Sequence, residues 1–287
     1  MIGDPFVTHR SLLFTVAYEM LGSAADAEDV VQETWLRWDA ADHDEVNDAR
    51  AYLVRIVTRL ALNQLRASAR RREEYIGEWL PEPLLTSPDV ADDVELAESV
   101  SIAMLTVLET LAPAERAVFV LREVFDTPYA EIAAAVDKTP ESVRQIAHRA
   151  RRHVAARRPR MEVDPLEQSV VVDKFLAAVT TGDLQTLMEV LAPDVVVIAD
   201  GGGLAPASRK PITGAGLLAP LLIRSAKIRG FEATTTRING TAGVRLSVNG
   251  RTVAVSLVVE DGRVTRIYGM ANPHKLGRMD KAVELQR

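Results

Sequence analysis

The sequence predicts a multidomain chain in which two all-α domains precede an α+β domain built as a cone of helices packed into a curved antiparallel sheet. Three observations carry this. Apolar residues recur at helical spacing through the first half of the chain. Thr127-Pro128 and Thr139-Pro140 mark two helix starts twelve residues apart. Beyond residue 230, alternating runs such as VRLSV and TVAVSLVV are separated by Asn239-Gly240, Asn249-Gly250 and Asp261-Gly262, each a hairpin signal. At 287 residues, two or three domains are expected from about 100–200 residues per domain.

The first domain covers residues 1–75. In its second helix Ala27, Val30, Val31, Thr34, Trp35 and Trp38 form an apolar face, while Asp26, Glu28, Asp29, Gln32 and Glu33 form a polar one. A polar stretch, DAADHDEVNDAR, breaks the pattern. The next helix starts near Ala51 with Leu53, Ile56, Val57, Leu60 and Leu65 as its core stripe. Its other face carries Arg55, Arg59, Asn63, Arg66 and Arg70, spaced four, four, three and four residues apart, so five polar groups stand in one line. Such a line can track a phosphate backbone, with Asn63 placed to reach a base. A solvated helix face is the plain alternative, though such faces usually mix charge signs.

Residues 76–98 read as a linker, because WLPEPLLTSPDVADDVE holds three prolines and several acids without a sustained helical period. The second domain, residues 99–158, ends in a helix-turn-helix. Thr127 and Thr139 each supply an N-cap oxygen, and Pro128 and Pro140 take first helical positions. Val143, Ile146, Ala147, Ala150 and Val154 form the buried stripe of the second helix. Glu141, Gln145, His148, Arg149 and Arg152 then face outward, where they can reach a major groove. Taken alone, the motif fits a basic helical hairpin as well as a DNA reader.

A break is expected at 157–165, and the third domain follows over 165–287. Helices are expected at 171–182, 184–191 and 217–226. The strand DVVVIAD runs into Gly201, Gly202 and Gly203, and four strands close the chain.

Charge sharpens the division. The net charge of −6 looks wrong for a nucleic-acid binder, yet Ala51 to Arg72 holds six arginines and no carboxylate. Ser142 to Arg160 holds seven arginines and no acid. There is no cysteine, so disulfides and thiolate metal sites are excluded. No apolar run approaches the roughly 20 residues that span a bilayer, and a signal pattern is absent. The reading is a soluble, intracellular, cytoplasmic protein with no membrane partner and neither cofactor nor metal.

Two basic helical modules joined by an acidic linker resemble a bacterial RNA polymerase sigma factor of the extracytoplasmic-function group, which keeps regions 2 and 4 only. DAEDVVQETWLRW resembles region 2.2, ARAYLVRIVTRLALNQLRA regions 2.3 and 2.4, and the segment from Leu111 to Arg152 region 4. The resemblance implies binding to core RNA polymerase through Asp29, Gln32, Glu33 and Trp35. It implies contact with the −10 promoter element through the loop from Asp39 to Arg50 and through Arg55, Arg59, Asn63, Arg66 and Arg70. The −35 element falls to Ser142, Arg144, Gln145, His148, Arg149 and Arg152. An unstacked base belongs in the loop from Asp42 to Asp48, with Tyr52 the nearest aromatic.

The third domain resembles the SnoaL-like branch of the nuclear-transport-factor-like cone fold. Its fusion to a sigma factor resembles a subgroup with the signatures WLPEP (Trp79 to Pro83), DGGG (Asp200 to Gly203) and NPHKL (Asn272 to Leu276). The subgroup more often has an acid where His274 stands. The resemblance implies a regulatory extension in place of a separate anti-sigma protein, acting through Trp79, Pro81, Asp200, Gly201, Gly202, Gly203, Asn272, Pro273, Lys275 and Leu276. Trp79 and Pro81 are expected to pack near Asp200 and Asn272. Two rivals stay open. One is an isomerase or cyclase, or a ligand sensor, using Asp200, His274 and Tyr268. The other is an ordinary helix-turn-helix transcription regulator.

Overall fold

The computed structural model describes residues 4–87, 90, 93–158 and 164–287, apart from the side chains of residues 45 and 69–73. The chain forms two compact units. The first joins Met1–Glu73, Met104–Arg158 and Glu284–Arg287, and the second joins Glu74–Ala103 and Pro159–Val283. Most of the break expected at 157–165 lies outside the described residues.

The first unit opens with α1 (Pro5–Leu21), α2 (Ala24–Asp39) and α3 (Ala49–Glu73). Asp4 caps α1 by accepting from the Phe6 N–H at 2.8 Å, and the same oxygen accepts from Trp38 Nε1 at 3.2 Å. Gly22, at φ +66°, ends α1, and Ser23 caps α2. The three helices bury Leu13, Val16, Met20, Ala27, Val31, Trp38, Leu53, Val57 and Leu65 against one another. Trp35, expected on the buried face of α2, is 41% exposed, because the stripe through Thr34 and Trp38 leaves it about 100° around the helix.

The chain then runs through Glu74–Ala103, which carries α4 (Val94–Ser99). It continues through α5 (Ile102–Leu108), α6 (Pro113–Phe119) with a π-turn at Val120–Val124, α7 (Tyr129–Val136) and α8 (Pro140–Ala155). Thr139 caps α8 as expected, accepting from the Ser142 N–H at 3.2 Å. Thr127 does not cap α7. Pro128 occupies the N-cap, and Thr127 is buried with its N–H on the Leu121 carbonyl at 2.9 Å. The stripe Val143, Ile146, Ala147, Ala150 and Val154 is buried throughout, and α8 packs on α6.

In the second unit α9 (Pro165–Thr181) and α10 (Leu184–Val190) lead directly into β1 (Leu191–Asp200). Then follow β2 (Ile212–Thr213), α11 (Ala215–Ala226), β3 (Glu232–Ile238), β4 (Thr241–Val248), β5 (Arg251–Glu260) and β6 (Arg263–Met270). The sheet order is β2-β1-β6-β5-β4-β3. All pairings are antiparallel except β1 with β6, so the sheet is mixed rather than wholly antiparallel. The three hairpin turns have φ between +51° and +76° at both central residues, the conformation that Asn-Gly and Asp-Gly supply at least cost.

Alternation along the strands sends side chains to two buried faces. Val255, Leu257, Val259, Val264 and Ile267 pack with Val172, Phe175, Leu187 and Leu218 of the helices. Ala254, Val258, Tyr268 and Met270 meet Leu80, Ile102 and Ala103 instead. The segment expected to be a linker is therefore a packed layer on the sheet face away from α9–α11. Its lack of helical period reflects anchoring by bonds to other strands: Leu85 bridges Ile238, and Thr86 bridges Val283. Among the described residues no helix is long and apolar enough to cross a membrane.

Asn239 shows how the layer is held. Its Oδ1 accepts from the Leu84 N–H at 2.9 Å, its Nδ2 donates to the Val100 carbonyl at 2.7 Å, and it is fully buried. Asn239→Ala is expected to cost about 2–4 kcal/mol by leaving two buried backbone groups unsatisfied. Hydrogen exchange at the Leu84 amide reads this, and an unchanged rate would contradict the layered arrangement.

Candidate nucleic-acid interface and the Asp200 cluster

The polar line of α3 is present as a geometric feature. Arg59, Asn63 and Arg66 are exposed and Arg55 is half-buried, with its Cζ 5.2 Å from the Tyr52 ring centre. Arg66 Nη1 donates to Asn63 Oδ1 at 3.5 Å. Arg59 Nη2 donates to the Ala134 carbonyl at 2.8 Å. The side chain of Arg70 lies outside the described residues.

On α8 the outward residues Glu141, Arg144, Gln145, His148, Arg149 and Arg152 are exposed, and Ser142, at the capped first turn, is half-buried. Arg149 Nε stands 3.8 Å from Glu115 with its side chain 64% exposed, a separation at which water screens most of the attraction. Arg144 Cζ lies 5.5 Å from the Tyr129 ring centre. Arg151, not singled out from the sequence, pairs with Glu123 at 3.3 Å and reaches Tyr129 Oη at 3.3 Å. Helix α8 thus presents a cationic face on a rigid stripe, a shape that fits a major groove.

On α2, Asp29, Gln32 and Trp35 are exposed, and Glu33 pairs with Arg37 at 3.1 Å. The loop after α2 is more aromatic than its sequence indicates. His43 stacks on Trp38 with ring centres 4.2 Å apart, and Tyr52 lies 6.0 Å from Trp38. Trp38 was read only as a core residue, so this stack was missed.

The second unit gathers most of the remaining candidates around Asp200. Its Oδ1 accepts from Tyr75 Oη at 2.5 Å and from the Gly202 N–H at 3.0 Å. Its Oδ2 accepts from the Leu80 N–H at 3.0 Å and from Lys275 Nζ at 2.7 Å. Lys275 also donates to the Leu80 carbonyl at 2.6 Å and stands 3.3 Å from the Trp79 ring centre. Asn272 Nδ2 donates to Tyr75 Oη at 2.7 Å, which leaves the phenol bridging two motifs. Burial, and then the hydrogen bond to Asp200, push the Tyr75 hydroxyl above the ordinary phenol range. Pro81 is buried, Leu276 is half-buried and packs on the same apolar cluster, and Pro273 is exposed.

The glycines have a steric reason. Gly202 sits at φ +57°, and a Cβ there would collide with the Asn272 amide. A Cβ at Gly201 would strike the Ala205 carbonyl, and one at Gly203 would come within 3.2 Å of Ile76. Strand parity places Asp200 and Tyr268 on the face covered by the linker layer, while His274 is exposed. Tyr75 was missed in the sequence because its partners lie 125 and 197 residues away.

Comparison with known proteins finds two family matches in the chain. Residues 6–71 match the sigma-70 region 2 family and residues 101–154 match sigma-70 region 4. The chain is similar to the ECF RNA polymerase sigma factor SigJ of Mycobacterium tuberculosis, with 38% identity over 286 residues, 94% of this chain and 91% of that protein. It is 34% identical over 272 residues to the probable ECF RNA polymerase sigma factor SigI of the same organism, covering 93% of this chain and 92% of that protein. The crystal structure of M. tuberculosis SigJ superposes with a TM-score of 0.73 at 34% identity, covering 94% of this chain and 96% of that one.

Lys275→Met removes the cation from a fully buried carboxylate and is expected to destabilise the second unit by about 3–5 kcal/mol. Adding Asp200→Asn removes the stranded charge and is expected to recover part of that loss. Chemical denaturation of the single and double variants measures the coupling, and simple additivity would show that the ion pair does not hold the cluster.

Proposed function

Because this chain belongs to the extracytoplasmic-function RNA polymerase sigma factors, it acts as an alternative sigma factor directing polymerase to promoters, and we propose that its second unit regulates that activity in cis. The observation that carries the regulatory reading is the Asp200 cluster. The segment between the two sigma domains is held to the sheet by Asp200, Lys275 and Asn239, so both of its ends leave one fixed surface. Anchoring of that kind sets the separation the two DNA-binding domains can reach, and a promoter selects whichever arrangement matches its elements.

Within this reading Asp29, Gln32, Glu33 and Trp35 of α2 dock on core polymerase, an acidic face with an exposed aromatic meeting a basic partner. Arg55, Arg59, Asn63, Arg66 and Arg70 take the −10 element, with the Trp38–His43 stack and Tyr52 beside the loop that receives an unstacked base. Ser142, Arg144, Gln145, His148, Arg149 and Arg152 take the −35 element. The chain works in the cytoplasm without a separate anti-sigma protein.

The cone has no catalytic role in this reading. Asp200 already accepts four hydrogen bonds, and Tyr268 is buried on the same face, its hydroxyl pushed up chiefly by burial. Neither is arranged as a proton-transfer pair with the exposed His274.

Two outcomes are expected. Gln145→Ala with Arg149→Ala weakens promoter binding by the holoenzyme by about 1–3 kcal/mol per lost base contact, read as a shift in half-saturation, and unchanged binding would remove the −35 assignment. Deleting the chain after Asn272 alters run-off transcription at unchanged core binding. Identical transcription, even without the entire extension, would refute regulation in cis.

A further inference from the structure

The helices α9, α10 and α11 of the second unit pack on one another and on one face of the sheet. Val172 and Phe175 of α9, Leu187 and Val190 of α10, and Leu218 and Ala219 of α11 fill that contact. Helices so placed ordinarily turn polar residues to solvent. These three do not. Each carries on its outer side an apolar pair four residues apart: Leu166 and Val170, Leu184 and Met188, Leu217 and Leu221, all between 41% and 78% exposed. Among the described residues no strand of the sheet exposes a large apolar side chain. A single exposed leucine is ordinary on a protein surface, but six large apolar side chains on one layer make a patch.

The patch is large enough to bind a protein. At 1.5 Å per residue the 17 residues of α9 span about 25 Å, and two neighbours spaced about 10 Å apart bring the width to a similar figure. The layer then offers on the order of 600 Å² per copy, so two copies bury about 1,200 Å², above the roughly 1,000 Å² that a specific interface needs.

The charges on the layer select the partner. On α9, α10 and the turn between them stand Glu167, Asp173, Asp183 and Glu189 against one cation, Lys174, all exposed. On α11 and the turn after it stand Arg224, Lys227 and Arg229, also exposed, and no carboxylate occurs anywhere from Gly201 to Phe231. None of these eight residues forms an ion pair among the described residues. An anionic lipid surface or a phosphate backbone would attract the α11 cations and be repelled by the four carboxylates beside them. A second copy of the chain meets no such conflict. Turned by a two-fold axis, its cations face the carboxylates of the first copy, its carboxylates face the cations, and the apolar pairs meet between them.

We infer that the outer face of α9, α10 and α11 is a homodimer interface, with six apolar side chains from each copy at its centre and reciprocal ion pairs between α11 of one copy and α9 and α10 of the other. None of its residues is among those assigned above to core polymerase, to promoter DNA or to the Asp200 cluster. Pairing of two chains and binding of polymerase are therefore separable by substitution.

Sedimentation velocity of the full-length protein over about 0.1–50 μM is expected to show a concentration-dependent shift from monomer to dimer. Leu217→Glu with Leu221→Glu raises the dimer dissociation constant at least about tenfold. Arg224→Glu with Arg229→Glu weakens pairing, and so does Asp173→Lys with Glu189→Lys. Mixed in equal amounts, these two charge variants pair again, because each now complements the other on both sides of the axis. Binding of core polymerase by every variant at the wild-type level shows that the chain is folded. A wild type that stays monomeric throughout, a dimer indifferent to these substitutions, or charge variants that fail to pair on mixing overturns the inference. A monomeric wild type that floats with phosphatidylglycerol vesicles but not with phosphatidylcholine vesicles overturns it too, and gives the face to lipid.

Discussion

The buried pair of Asp200 and Lys275 is the constraint on which the second unit depends. A carboxylate with no exposure is tolerated only when its oxygens are filled, and here four donors fill them, three from side chains or backbone of motifs far apart in sequence. Because two of those donors, Tyr75 and the Leu80 amide, belong to the segment between the sigma domains, satisfying the charge also fixes that segment. Fold stability and linker position are one physical requirement.

The first unit obeys a similar logic with the signs reversed. A cation, Arg116, is buried beside Glu109 and a backbone carbonyl, and a second cation, Arg59, takes a helix-end carbonyl. Each cation reaches from one matched region to the other, Arg116 to the Glu19 carbonyl of α1 and Arg59 to the Ala134 carbonyl of α7.

Features governed by local rules were legible in the sequence. The three hairpins follow from dipeptides that tolerate positive φ, and the stripe of α8 and the line on α3 follow from helical spacing. Features governed by distant partners were not. WLPEP and its neighbours show no period because their backbone is satisfied by Asp200, Asn239 and Lys275. Asn239 reads as a turn residue, and its side chain's second task appears only when Leu84 and Val100 are brought beside it. Arg116 sits in a helix whose sequence gives no sign that it is buried. Thr127 precedes a proline as a cap should, yet the chain buries it and starts α7 two residues later.

Tyr75 offers the most direct test of whether anchoring the linker restrains the sigma factor. Tyr75→Phe removes one hydroxyl, the group that joins Asp200 to Asn272, and leaves the ring that packs on Trp79 with centres 4.7 Å apart. Run-off transcription by holoenzyme carrying this variant is compared with wild type at matched core binding. Anchoring predicts a several-fold rise in transcript as the linker loosens. Transcript at the wild-type level, with the Leu80 amide shown by hydrogen exchange to be released, would contradict it.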